Sequence, residues 1–264
     1  MIFATVMVGT FVAFHLFPHP VKADTHPELA KDISSIIAAN PSVSIGVALI
    51  DLDDGSTSFT YGQTTPFTAA STTKILAATA FLHGVEQGIY SLNMPLGIST
   101  ANWQLQEMVN QSDNDSWNLF LGLIGDVSLD TYARQIGLVS FDADNNTISP
   151  LDEAQLLAKL YKGQLLNATD TNLLLSYMQN TNDETLIPAA LPAGTTVYHK
   201  YGELLDTDDD GSGNFVHDAA IITYQGRHFV LAIYTDKVSD LDITTRQQVI
   251  HDITDEVVSA EEAS

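Results

Sequence analysis

The chain has 264 residues and a formal net charge of −23, from 33 Asp and Glu against 10 Lys and Arg. So few cations cannot neutralise a phosphate backbone, which excludes nucleic acid as a partner. With no cysteine, disulfides, thiolate metal sites and thiol nucleophiles are excluded too, and the length suits one large domain or two small ones.

Residues 2–17, IFATVMVGTFVAFHLF, are apolar, and the PHPVKA that follows ends in the small-residue pattern Val21-x-Ala23. This predicts a signal peptide over 1–23 and a mature domain over 24–264. An uncleaved membrane anchor is the alternative. Both place the domain outside the cytoplasmic membrane, either secreted or anchored to its outer face.

PELAKDISSIIAAN, from Pro27, reads as a short amphipathic helix. SVSIGVALIDLDDGSTSFTYG reads as two strands joined at Asp54-Gly55, a strong hairpin signal. FTAASTTKILAATAFLHGVEQG, from Phe67 to Gly88, carries a smooth helical pattern with a serine and a lysine at its start. From about 102 to 180 the chain is mostly helical in short pieces, with Ser128 predicted as one N-cap and Ser149-Pro150 as an N-cap followed by Pro at the first helical position. TTVYHKYG, NFVHDAAIITY and RHFVLAIYTD read as three strands, ITTRQQVIHDITDEVVSA as a closing helix, and EEAS as a frayed tail. This order predicts an α+β fold: a five-stranded antiparallel sheet flanked by the terminal helices, with a helical lobe inserted between strands 2 and 3. A site is expected in the cleft between sheet and lobe.

Three short elements carry chemistry. At i and i+3 on a helix, Ser71 and Lys74 share one face. A serine hydroxyl needs a neighbour to take its proton, and a buried lysine can do so because desolvation lowers its pKa. Ser112-Asp113-Asn114 precedes an apolar helix; by itself the triplet reads as an N-cap cluster. Lys200-Tyr201-Gly202 ends a predicted strand, where a lysine alone reads as solvated and a glycine as a bulge or close backbone approach.

In this order, S-x-x-K, S-D-N and a K-x-G strand resemble the signature set of class A β-lactamases and penicillin-binding proteins. The resemblance covers nearly all of the mature chain. It implies a serine acyl hydrolase in which Ser71 is acylated and Lys74 accepts its proton. Ser112 would relay a proton to the leaving nitrogen, and Asn114 would bind the substrate's amide side chain. Lys200 would supply positive potential and Gly202 would let the strand approach the acyl group. The backbone N–H groups of Ser71 and Glu203 would form the oxyanion hole. The implied partner is a β-lactam or a peptidoglycan stem peptide, and no cofactor is implied.

Three departures accompany the resemblance. The family's loop glutamate, in Glu-x-x-Leu-Asn, has no clear equivalent in the short segment GLVSFDADNNTISP. Asp142 and Asn146 have the i, i+4 spacing, but Asp is shorter, and a solvated turn is the reading taken. Tyr201 stands where the family has Ser or Thr and lines the substrate side. No arginine follows on the next strand; His217 has the parity to face the site and is read as structural. Without a base for water, the acyl-enzyme is expected to persist. A working β-lactamase, a D,D-peptidase acting on stem peptides, and a degenerate non-catalytic domain binding wall peptides or a partner all remain open.

One side motif lies in DTDDDGSGN, where Asp206, Asp208, Asp210 and Gly211 fall at the first positions of an EF-hand-like calcium loop. Its twelfth position is His217 rather than Glu. An acidic hairpin tip, with no metal, is the reading taken.

Overall fold

Three of the strands carry apolar residues on both faces, and this decides the architecture. The structure, a computed structural model, describes residues 27–54, 58–205, 214–237 and 243–263. Its main sheet contains β1 (Ser44–Asp51), β2 (Ser58–Gly62), β7 (Thr196–Leu204), β8 (Phe215–Tyr224) and β9 (Arg227–Asp236), all antiparallel, in the order β2-β1-β9-β8-β7. Alternate residues sort to opposite faces, as the period of 2 requires. Ala48, Ile50, Ala219, Ile221, Val230, Ala232 and Tyr234 face the helical lobe, and Val47, Leu49, Ala220, Ile222, Leu231 and Ile233 face the terminal helices.

Helix α1 (Pro27–Ala39) buries Leu29 and Ile33 on that second face, beside α9 (Thr244–Glu262), which buries Val249, Ile250, Ile253 and Val257. Each such side chain contributes about 1.5–3 kcal/mol on burial. The lobe follows β3 (Phe67–Thr68) and contains α2 (Lys74–Glu86), β4 (Pro95–Leu96), β5 (Ser99–Thr100), α3 (Ala101–Asn110), α4 (Asn114–Ile124), α5 (Asp126–Gln135), β6 (Thr147–Ile148), α6 (Pro150–Tyr161) and α7 (Ala168–Tyr177). A short α8 (Ile187–Ala190) leads back to the sheet. The expected layout is the one observed. Helix α2 is buried nearly all round and forms the lobe's centre, while α6 lies across β1, β9 and β8.

Several local expectations need correction. The helix after Ser71 starts only at Lys74, and the preceding turn is closed by tighter i→i+3 bonds, Thr72 N to Ala69 O at 3.2 Å and Lys74 N to Ser71 O at 3.3 Å. Ser128 is no N-cap, because Gly125 at φ 81° caps α5 and Asp126 opens its first turn. Ser149 is one: its Oγ accepts from Asp152 N, with Pro150 next. The tail does not fray at Glu261, which is buried because Arg227 bonds both it (2.9 Å) and Asp51 (3.0 Å), tying α9 to the sheet. The β1–β2 hairpin exists, but its tip at Gly55 lies outside the described residues, as do residues 1–23 and the acidic segment with Asp206, Asp208 and Asp210. Among the described residues no helix is long and apolar enough to cross a membrane.

One buried ion cluster fastens the segment between α7 and α8 to the sheet. His199 is fully buried in β7, with Nδ1 3.0 Å from Asp218 Oδ1, and Nε2 3.1 Å from Thr181 Oγ1 and 3.3 Å from Glu184 Oε1. The other Asp218 oxygen accepts from Ile187 N at 3.0 Å. Burial by itself pulls His199 toward neutrality; the charge and hydrogen bond of Asp218, helped by Glu184, outweigh it and push its pKa up to about 9. A pKa raised on folding stabilises fully below the unfolded value near 6.5 and loses that contribution as pH climbs through 9. The melting temperature of the wild type should therefore fall over this window. His199→Gln should start lower and lack that part of the slope, and His199→Ala should cost about 3–5 kcal/mol by leaving Asp218 unpaired. Denaturant melts at pH 6 and pH 9 check both.

Candidate active site

The turn Ala69–Thr73 is set against β7 by a glycine. A Cβ on Gly202 would lie 2.8 Å from Ala69 O and 3.1 Å from Ser71 N, closer than side chains approach backbone. Only glycine lets the outer strand come this near to Ser71. The turn is held from the other side by Asn146. Its Nδ2 donates to Ala70 O (2.8 Å), its Oδ1 accepts from Thr73 Oγ1 (2.7 Å), and its carbonyl accepts from Ala69 N (2.8 Å). Both Ala70 (φ 50°) and Asn146 (φ 46°) sit in the left-handed region, which costs about 1–3 kcal/mol per residue and persists only where surroundings enforce it.

Ser112 lies between α3 and α4 with φ 56°. Asp113 does cap α4, accepting from Ser116 N at 2.7 Å, so the capping reading of the triplet holds. The strained Ser112 backbone adds something capping does not need, because it brings two lysines to one residue. Lys74 Nζ donates to Ser112 O (2.6 Å) and Asn114 Oδ1 (2.8 Å), with Ser112 Oγ at 3.4 Å. Lys200 Nζ donates to Ser112 Oγ (2.9 Å) and to Tyr201 O (3.0 Å). Burial lowers the Lys74 pKa to about 8, against the opposing charge of Asp113. Lys200, fully buried, is pushed well below the usual lysine range by burial and then by Lys74. A cleft of about 340 Å³ opens here, lined by Ser71, Ser112, Asn114, Tyr201, Glu203 and neighbours. Burial, then Asp183, raises the Glu203 carboxyl.

The structure thus brings together Ser71, Lys74, Ser112, Asn114, Lys200, Tyr201, Gly202 and Glu203. Tyr201 turns its ring under Lys200 Nζ, 4.0 Å from the ring centroid, and its hydroxyl donates to Asn182 Oδ1 at 3.1 Å. Asn182 also donates through Nδ2 to Gln111 O (3.0 Å) and through its backbone N to Asn110 O (3.2 Å). It spans sheet and lobe beside the cleft, and nothing in the sequence marked it.

Asp142 stays out. Its carboxylate accepts from Asn145 Nδ2 (2.9 Å) and N (3.1 Å), bonds that keep its pKa low. Its i, i+4 partner Asn146 turns the other way, onto the Ser71 turn; the two lie in a tight turn closed by the Asp142–Thr147 bridge, with no helix to bring their side chains to one face. His217 is structural. Nε2 donates to Thr68 O (2.8 Å), Nδ1 accepts from Thr235 N (3.0 Å), and the ring stacks on Tyr234. Burial drops its pKa to about 4, so it stays neutral. Among the described residues no cluster of His, Asp or Glu could hold a metal.

Comparison with known proteins agrees with this geometry. The family model described as "Beta-lactamase enzyme family" matches residues 28–260. Beta-lactamase OXY-2 of Klebsiella oxytoca is 30% identical over 193 residues, 60% of this chain and 66% of that protein. PBP-A, a solved structure, superposes with a TM-score of 0.79 at 26% identity, covering 90% of this chain and 97% of PBP-A. One of its mutants was solved as an acyl-enzyme complex with penicillin G. A beta-lactamase from Chitinophaga pinensis has the same fold, at a TM-score of 0.80, 23% identity, and coverage of 88% and 99%. With the S-x-x-K turn, the S-D-N loop and the K-x-G strand meeting in one cleft, this chain belongs to the beta-lactamase enzyme family and is a serine β-lactamase-like hydrolase.

Proposed function

We propose that Ser71 attacks the carbonyl of a β-lactam, or of a D-alanyl amide in a wall stem peptide, and forms an acyl-enzyme that deacylates slowly. The observation that carries this is the Ser112 hydroxyl, held between the ammonium groups of Lys74 and Lys200 at the edge of the Ser71 cleft. A lysine with a pKa of about 8 is neutral in part at physiological pH and can accept the Ser71 proton. Ser112 then passes a proton to the leaving nitrogen and is recharged from the lysines on either side. Asn114 commits its Oδ1 to Lys74 and offers its Nδ2 to the substrate's amide carbonyl. The N–H groups of Ser71 and Glu203 receive the oxyanion, at a spacing set by Gly202.

Hydrolysis needs a second base over the acyl carbonyl, and the Asp142 carboxylate is committed to Asn145. This favours the peptidase reading as the second possibility, since a stem peptide can leave to an amine acceptor without an activated water. Secretion or outer-face anchoring through residues 1–23 fits either substrate, because both are met outside the cytoplasmic membrane.

Incubation with penicillin G should give a covalent adduct by mass spectrometry that Ser71→Ala abolishes; an adduct surviving in that variant overturns the assignment. A chromogenic cephalosporin in stopped flow should show a burst of about one product per enzyme and then a steady state slower by about 10²–10⁴. Linear turnover without a burst would mean that a deacylating base is in place. The acylation rate should climb with pH toward about 8, as Lys74 loses its proton. Tyr201→Thr, which frees Lys200 from the ring and adds a short hydroxyl, should speed acylation by carboxylate-bearing β-lactams by about tenfold, the worth of one hydrogen bond to a charged group; comparing kcat/KM for acylation in the two proteins checks it.

A further inference from the structure

Glu153 is the one fully buried carboxylate, among the described residues, for which neither oxygen makes a well-formed hydrogen bond. It lies on α6, at the lobe face of the sheet, where it interacts with the Tyr234 hydroxyl of β9. The hydroxyl protons around it can be counted. Thr72 Oγ1 donates to Ala69 O at 3.0 Å, an atom that can only accept. The same Thr72 oxygen lies 2.6 Å from Tyr234 Oη. With the threonine proton spent on Ala69, the proton in the second bond must come from Tyr234. Tyr234 then has only lone pairs left to present to Glu153. An ionised carboxylate is all acceptor and would meet them with lone pairs of its own; a protonated one can donate.

We propose that Glu153 is a positioning residue that works as a neutral carboxylic acid, heading a one-way chain through Tyr234 and Thr72 to the carbonyl of Ala69. That carbonyl lies where the turn passes against Gly202, one residue before the strained Ala70 and two before Ser71. The chain therefore fixes the turn that presents the Ser71 N–H and hydroxyl. The surroundings agree with a neutral acid. Burial raises its pKa to about 8, outweighing the opposing interaction with Tyr234; the charge of Asp152 adds to the rise and that of Lys200 opposes it. The other groups facing it add no cation within ion-pair distance: β1 offers Ala48 and Ile50, β8 offers the neutral His217 with both ring nitrogens used, and Lys200 of β7 bonds Ser112 and Tyr201 instead. Asp152 on the same helix is bonded to Ser140 N and Oγ, both at 2.7 Å.

The proposal rests on Ser71 as nucleophile for its functional half, and two readouts on the full chain separate the two. Infrared difference spectra at pH 7, wild type minus Glu153→Gln, should show the carbonyl stretch of a protonated carboxylic acid that the variant lacks. This measurement needs no acylation. Acylation by a chromogenic cephalosporin should then fall in the wild type as pH rises past 8 and Glu153 ionises. Glu153→Gln, whose amide N–H replaces the acid proton, should match the wild-type rate at pH 7 and lose the alkaline fall while keeping the rise that belongs to Lys74. Glu153→Leu, shown folded by its melting curve, should acylate roughly tenfold to a hundredfold more slowly, the scale of a misplaced reacting group. Absence of the acid band at pH 7, survival of the alkaline fall in Glu153→Gln, or wild-type acylation in Glu153→Leu each overturns the proposal. If the band is present but no protein is acylated at any pH, the Ser71 reading fails, and with it the proposed part of Glu153 in acylation.

Discussion

Two lysine ammonium groups buried beside one serine hydroxyl are the constraint on which the rest of this structure depends. Lys74 and Lys200 are at most 2% exposed, and stripping a lysine of water costs several kcal/mol unless partners replace it. Their replacement shell comes from four places: the Ser112 hydroxyl and carbonyl, Asn114, the Tyr201 carbonyl and the Tyr201 ring face. No carboxylate lies within ion-pair distance of either among the described residues, so compensation comes from dipoles and remains incomplete. Incomplete compensation is the useful state. It leaves Lys74 with a pKa of about 8, neutral in part at physiological pH and able to hold a proton or to give it up.

That shell exists only if backbone from three separate elements is held in unfavourable conformations. Ala70, Ser112 and Asn146 all have positive φ, and all three belong to the Ser71 turn, the lysine shell or the clamp that joins them. The strain is supported by structure on either side. Helices α3 and α4 are capped by Thr100 and Asp113 and pin the Ser112 loop. The β3–β6 ladder brings Asn146 to the turn. The ion cluster of His199, Asp218 and Glu184 holds the segment with Asn182 that closes the sheet side of the cleft. The sheet, with apolar residues on both faces of its inner strands, supplies the rigidity against which this strain is stored.

Polar groups behind the site follow the same logic on a smaller scale. His217 and Tyr234 stack at 4.2 Å between sheet and lobe, and each sends one polar atom to the segment around Ser71, His217 Nε2 to Thr68 O and Tyr234 Oη to Thr72 Oγ1. Residues of β8 and β9 thereby orient a turn distant in sequence, without touching the cleft. This is why an imidazole in the parity of a substrate-facing strand residue serves structure instead: its two nitrogens are already divided between two backbone groups.

The sequence by itself determined the order of elements, the two-faced character of the inner strands and the three short motifs. Each of these is written in local pattern: apolar period, capping residues, and a serine, lysine or glycine at fixed spacing. Ser71, Lys74, Ser112, Asn114, Lys200 and Gly202 could be named for that reason. Tertiary structure alone decided that Asp142 turns away while Asn146 turns in, although their spacing suggested a pair, because the two lie in a tight turn and not on one helix face. It alone decided that Tyr201 lies beneath Lys200, that Asn182 bridges to it, and that Glu153, an ordinary helix residue in sequence, is buried next to Tyr234. These outcomes depend on which groups desolvate together. Desolvation is a property of three-dimensional neighbours, and it reaches the sequence only where a neighbour is also close along the chain.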